Sequence, residues 1–218
     1  MTWAPPILLP NEFNAAAYFV DRNVDEGRSQ KIAIECGDRR VTYGELHALV
    51  NRAGNGLRSL GVRMEERVFL LLPDLPEFAA CFFGAIKIGA VPVPVNTLLK
   101  PHDYEYMLNN SRARVAIVAD SLLPLIQSIA RGDLRYLETM VVVGNAPAGT
   151  VSFHDVTRGQ SSELQPASTG KDDAAFWLYS SGSTGQPKAC VHLQHDMVVS
   201  TERYAKAILK ITSGDRFF

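Results

Sequence analysis

Residues 67–143 repeat one alternation: a short apolar run, an amphipathic stretch, then another apolar run. The run at 67–72 lacks the polar alternates of a half-exposed strand, so it suits a strand buried on both faces. Residues 75–88 fit a helix, which Gly89 ends because glycine accepts the left-handed conformation at a helix terminus. Val91-Pro92-Val93-Pro94-Val95 is extended, and its prolines, which cannot donate to a ladder, exclude a central, fully paired strand. A helix over 101–110 with proline in its first turn, a strand at 115–118, a helix at 122–130 and a strand at 140–143 continue the pattern. This rhythm predicts an α/β fold of doubly wound, mostly parallel sheets with flanking helices.

Upstream, residues 13–24 place Phe13, Ala16, Ala17, Val20 and Val24 on one side of a helix. Two short strands, 31–36 and 39–42, meet at the turn Gly37-Asp38. Thr42 and Glu45 form a capping box, a hydroxyl three residues before an acid, and the helix it starts runs to Gly61. Downstream, residues 144–171 are rich in Gly, Ala, Pro, Ser and Thr and read as a connector. We therefore expect a first α/β subdomain over 1–143, a connector over 144–171 and the start of a second α/β subdomain over 172–218. The last part holds a buried strand at 174–179, a glycine-rich loop, a short strand at 189–193 and a helix at 196–209.

The formal net charge is −1, so no strong field draws nucleic acid or an anionic membrane. Any phosphate ligand must be gripped by local geometry. Cys36, Cys81 and Cys190 are far apart and match neither zinc spacing nor a CxxC motif; they read as reduced, mostly buried thiols. The longest apolar stretch, 79–95, contains Lys87, Gly89, Pro92 and Pro94 and does not read as a membrane span. With no secretory signal in these residues, a cytoplasmic location is expected. Phe78, Phe82 and Phe83 share one predicted helix and read as core more readily than as lining for a substrate.

Residues 180–188 concentrate four hydroxyl residues, two glycines and a lysine. Glycines let the backbone turn tightly and bring N–H groups close to a ligand. The hydroxyls of Ser180, Ser181, Ser183 and Thr184 can donate to phosphate oxygens, and Lys188 adds a mobile positive charge. Pro187 stiffens the approach to that lysine. Such an anion cradle just after a buried strand sits where open α/β sheets tend to bind ligands. A Walker A loop needs four residues between its glycines; here only Ser183 and Thr184 separate Gly182 from Gly185. The G-x-S-x-G of a nucleophile elbow is absent as well.

Tyr179-Ser180-Ser181-Gly182-Ser183-Thr184-Gly185-Gln186-Pro187-Lys188 resembles the signature [ST]-S-G-[ST]-T-G-x-P-K-G of the adenylate-forming enzymes: acyl-CoA synthetases, luciferases and peptide-synthetase adenylation domains. Val41-Thr42-Tyr43-Gly44-Glu45-Leu46 and the segment from Gly84 to Asn96 resemble further motifs of that family. Within it, Val95-Asn96-Thr97-Leu98-Leu99, Asp103-Tyr104-Glu105-Tyr106-Met107-Leu108 and the approach from Asp172 to Gly182 are most similar to benzoate–CoA ligases and related aryl-CoA ligases.

The resemblance implies a ligase that activates an aromatic carboxylate with ATP and Mg²⁺ and passes the acyl group to coenzyme A. It implies that Ser180, Ser181, Gly182, Ser183, Thr184, Gly185 and Lys188 hold the phosphates, with Lys188 and Thr184 acting in the reaction. The family's usual glycine after the lysine is Ala189 here. His192 and His195 lack a third ligand and read as packing or surface residues, so no metal site is expected from side chains. The family's later motifs would lie beyond residue 218, so this chain is expected to be an N-terminal portion that does not complete the reaction alone. A fatty-acyl or amino-acid adenylating enzyme, a non-catalytic nucleotide-binding module and a homodimer are left open.

Overall fold

The computed structural model describes residues 6–180 and 185–217. The helix expected over 13–24 is a π-helical segment, Ala17–Asp21, that continues into α1, Arg22–Asp25. Strands β1, Ile32–Cys36, and β2, Arg39–Thr42, pair antiparallel. Helix α2, Tyr43–Ser59, starts from the expected capping box. Glu45 N donates to Thr42 Oγ1 at 3.2 Å, and Thr42 N donates to Glu45 Oε2 at 2.8 Å. Two of the helix's orphan donors are thereby satisfied.

The central sheet contains β3 (Arg67–Leu71), β4 (Val91–Pro94), β5 (Val115–Ala119), β6 (Thr139–Val143) and β7 (Val151–Ser152). Its order is β4-β3-β5-β6-β7, and every pairing is parallel. The α/β expectation holds. The proline-bearing strand β4 lies at the edge, where missing donors leave no ladder bond unmade. Helices α3 (Pro76–Lys87), α4 (Pro101–Ser111), α5 (Leu123–Gln127) and α6 (Phe153–Thr157) flank the sheet.

The period of two explains why the run, after Arg67, has no polar alternates. Val68, Leu70 and Leu72 face one buried cluster, formed with Val50, Ala53 and Leu57 of α2 and Ala80 and Ala85 of α3. Phe69 and Leu71 face a second, formed with Tyr104, Met107 and Leu108 of α4 and Ile126 of α5. Each such side chain contributes about 1.5–3 kcal/mol by leaving water.

Helices α2 and α3 approach through Gly54 and Gly84. A Cβ added at Gly84 would lie 2.9 Å from Gly54 N and from the Val50 carbonyl oxygen, both rigid backbone atoms. The Gly84→Ala variant is expected to lose about 2 kcal/mol of stability through overpacking. A urea midpoint equal to that of the wild type would contradict this close approach.

Residues 144–171, read from composition as a connector, contain β7 and α6. The two-residue strand is too short to show a period among glycines, prolines and serines. After it the chain crosses α2, where Asn51 and Asn55 donate through Nδ2 to the carbonyls of Ser162 and Ser161 at 2.7 and 2.9 Å. The final elements are β8, Ala174–Ser180, and β9, Lys188–Leu193, paired antiparallel as a separate hairpin. Then come α7, Asp196–Ser200, and a π-helical continuation, Thr201–Lys206, ending short of the expected residue 209.

A buried charge links these parts. Lys87 is 1% exposed, and its Nζ donates to Asp21 Oδ1 at 2.7 Å and Asn51 Oδ1 at 2.6 Å. His47 Nε2 lies 3.2 Å from Asn51 Nδ2 and 3.5 Å from Asp21 Oδ1. Because the Asn51 amide oxygen accepts from Lys87, its NH₂ faces the imidazole, which accepts in its neutral form. Burial, and then the Lys87 ammonium, push the His47 pKa below its ordinary value, against the opposing pull of Asp21 and Asp25. A histidine depressed in the folded state contributes stability above its unfolded pKa, about 6.5, that is lost as pH falls through that value toward the folded one. The urea midpoint is therefore expected to fall between about pH 7.5 and 5.5, and less so in His47→Gln. Equal slopes for the two proteins would contradict this assignment.

Candidate functional site

Strand β8 starts in the interior, with Ala175 and Phe176 buried, and emerges at Leu178 and Ser180. The Phe176 ring stacks on His192 of β9 at 4.5 Å and meets Phe82 edge-on at 5.3 Å. At the far end Ser180 and Lys188 are direct register partners, both exposed. Direct partners share a face of the hairpin, so a hydroxyl and an ammonium flank the mouth of the loop that joins the two strands. Ser180 Oγ donates to the Lys188 carbonyl at 3.4 Å. Gly185 has open space where a Cβ would stand. Ser181, Gly182, Ser183 and Thr184, four of the expected phosphate contacts, lie outside the described residues.

The hairpin is moored at several points. Tyr179 donates its hydroxyl to Asn110 Oδ1 of α4 at 2.6 Å. The Arg67 guanidinium sits 5.6 Å from the Trp177 ring. Below the strands, Gln194 is fully buried, and its Oε1 accepts from Ala15 N at 2.8 Å. His192 Nδ1 lies 3.5 Å from Asp196, and His195 contacts Asp172 and Asp196 at 3.2 Å each. Both histidines thus hold the turn into α7. Among the described residues no group of three or more His, Cys, Asp or Glu side chains could hold a metal ion.

A cleft of about 640 Å³ opens between the hairpin and the carboxyl ends of β3 and β4. Pro73, Asp74, Phe78, Asn96, Leu178 and Pro187 are among its walls. Parallel strands present ligand crevices at this end. Phe82 and Phe83 pack against the buried clusters, as expected. Phe78 also packs there, but one side of it faces the cleft. A larger cleft, about 880 Å³, lies between the α1 region and residues 211–217 and includes none of the loop's described residues. Its walls set five basic side chains, Arg22, Lys31 and Arg216 among them, against four acidic ones, Glu26, Glu35 and Asp215 among them, so the charges nearly cancel and offer a polyphosphate little attraction.

The expectation of mostly buried thiols is corrected. Cys81 is buried, and burial pushes its thiol pKa well up. Cys36 is half-buried, and Cys190 is exposed on β9 opposite Leu178. The reason is the hairpin: a two-stranded sheet has too little cover to bury both its faces. The sequence could not disclose the mooring contacts either. Tyr179 and Asn110 are 69 residues apart and carry no joint pattern.

A family model described as AMP-binding enzyme matches residues 20–218. The benzoate–CoA ligase of Thauera aromatica is 43% identical over 98% of this chain and 40% of its own length. The 4-hydroxybenzoate–CoA/benzoate–CoA ligase of Rhodopseudomonas palustris is 43% identical over 90% of this chain and 36% of its own. The chain therefore spans about 40% of the length of the curated relatives it matches. Among solved structures, the anthranilate CoA ligase AuaEII in complex with anthranoyl-AMP matches with a TM-score of 0.88 and 42% identity, over 91% of this chain and 38% of that one. A benzoate CoA ligase from Burkholderia xenovorans LB400 matches with a TM-score of 0.80 and 36% identity, over 92% and 38%. Among the described residues no helix is long and apolar enough to cross a membrane.

Proposed function

The chain belongs to the AMP-binding enzyme family, and from that premise we propose that it is the phosphate-gripping part of a ligase joining an aromatic carboxylate to coenzyme A. The observation that carries this reading is the pairing of Ser180 with Lys188 at the mouth of a glycine- and hydroxyl-rich loop, on the end of a strand that leaves the core. The 43% identity to a benzoate–CoA ligase favours an aromatic acid over the other acids of the class. The cytoplasmic location and a second subdomain starting at 172 remain part of this proposal, while β7 carries the first sheet past 143 to Ser152.

In this reading a carboxylate oxygen attacks the α-phosphorus of ATP, and the bond to the pyrophosphate oxygen breaks. Negative charge grows on the leaving group. The Lys188 ammonium, the hydroxyls of Ser180, Ser181, Ser183 and Thr184, and the amides around Gly182 and Gly185 would offset that charge. They also hold the chain of phosphates in line for attack. Mg²⁺ would be held largely by the phosphates themselves and would neutralise part of their charge. In the second half the coenzyme A thiolate attacks the acyl carbon, the acyl–oxygen bond breaks and AMP leaves.

Exchange of labelled pyrophosphate into ATP, driven by a panel of acids and catalysed by the complete gene product, tests the reading. Benzoate and its hydroxy or amino derivatives are expected to drive exchange best. Faster exchange with long-chain fatty acids or amino acids would move the protein to another branch of the family. No exchange with any acid would sink the ligase reading.

A further inference from the structure

We propose that Tyr179 is a positioning residue: by tying β8 to Asn110 of α4, its hydroxyl fixes the strand from which the phosphate-gripping loop springs, and so sets how tightly MgATP is held. The inference rests on the reading just given and extends it to a residue outside the loop.

Tyr179 is the next-to-last residue of β8, so its anchor acts within two residues of Ser181. Its hydroxyl is 2.6 Å from Asn110 Oδ1, with the Met107 carbonyl further off at 3.4 Å. Its register partner is Ala189, the neighbour of Lys188, so one anchor steadies both arms of the loop. The ring packs against the cluster of Tyr104, Met107 and Leu108. Burial, followed by the nearby Tyr106, pushes the phenol pKa up to about 12, which keeps the hydroxyl a donor throughout the working range.

The other moorings hold the hairpin further down. Phe176 and Gln194 act at its base, and the Trp177–Arg67 contact at 5.6 Å has no fixed hydrogen-bond direction. The Ser180–Lys188 bond is internal to the hairpin and cannot fix it against the rest of the fold. A two-stranded ribbon is marginal by itself, so its tip takes its place from contacts with the rest of the fold. A loop that must offer amides and hydroxyls to a polyphosphate needs its geometry held to about 0.5 Å. The ring alone would satisfy a packing role against α4; the hydroxyl adds the one directed bond, to Asn110 Oδ1.

Steady-state kinetics of the complete gene product test this. Tyr179→Phe is expected to raise the KM for MgATP about fivefold, roughly the loss of one hydrogen bond at the protein surface. The KM for the carboxylate should stay within about twofold and the melting temperature should hold, because packing is retained. Asn110→Ala should give the same split, and the double variant should be no worse than either single one. Asn110→Asp, which keeps an acceptor at the same place, should restore the wild-type KM. An unchanged MgATP KM in Tyr179→Phe would overturn the anchor alone. So would a rise in both KM values with a fall in melting temperature, which would mark a merely structural role. A wild-type protein that does not use MgATP would overturn the ligase reading, and the anchor with it.

Discussion

Replacing Lys188 with alanine is expected to lower the rate of acyl-adenylate formation about 10²- to 10³-fold, the usual loss when one preorganised group facing a developing negative charge is removed. The lysine is exposed and opens β9, directly opposite Ser180, so its removal creates no cavity and leaves the fold intact. Its charge has work to do because the chain as a whole, at −1, supplies no general attraction for polyphosphate. Lys188→Arg keeps the charge but changes its shape and reach, and should recover only part of the rate. Pyrophosphate exchange at saturating MgATP measures both variants. A Lys188→Ala enzyme within about threefold of wild type would remove the lysine from the chemistry.

Lys87→Met is expected to cost about 3–5 kcal/mol of folding free energy, a large part of what a domain normally has. The substitution leaves the Asp21 carboxylate, whose side chain is 16% exposed, without its cation and strips Asn51 of its donor. The pair itself need not be a large net stabiliser, because burying two charges costs about as much as their attraction returns. The damage comes from breaking one side of it. The double variant Lys87→Met with Asp21→Leu should therefore recover much of the loss. Urea unfolding followed by circular dichroism separates these outcomes. A single variant as stable as wild type would show that Asp21 finds water or another partner at once.

Much of this architecture is legible in the residues because local and global signals agree. The unbroken run at 68–72 feeds two cores on opposite faces of one sheet, and Pro92 and Pro94 put their strand at its edge. Thr42 and Glu45 mark the start of α2, and the spacing of hydroxyls and glycines marks the loop. What stays hidden is whatever depends on long-range pairing. β7 has only Val151 and Ser152 to announce it. Cys190 looks like a core thiol until the hairpin's thin cover is known. Lys87 sits in an apolar helix as if misplaced, and only the approach of Asp21 and Asn51 from two other elements accounts for it. For the candidate site, the nature of the loop is readable. Its mooring through Tyr179 and the cleft beside Phe78 are products of tertiary packing.

In the proposed function the loop between β8 and β9 grips the phosphates of ATP. The most direct measurement is an amide chemical-shift titration of the isotope-labelled chain with MgATP. The largest, saturable shifts are expected on residues 180–186 and 188, and Lys188→Ala is expected to weaken them. Shifts confined to the larger cleft around Arg22, Lys31 and Arg216, with the loop amides unmoved, would contradict it.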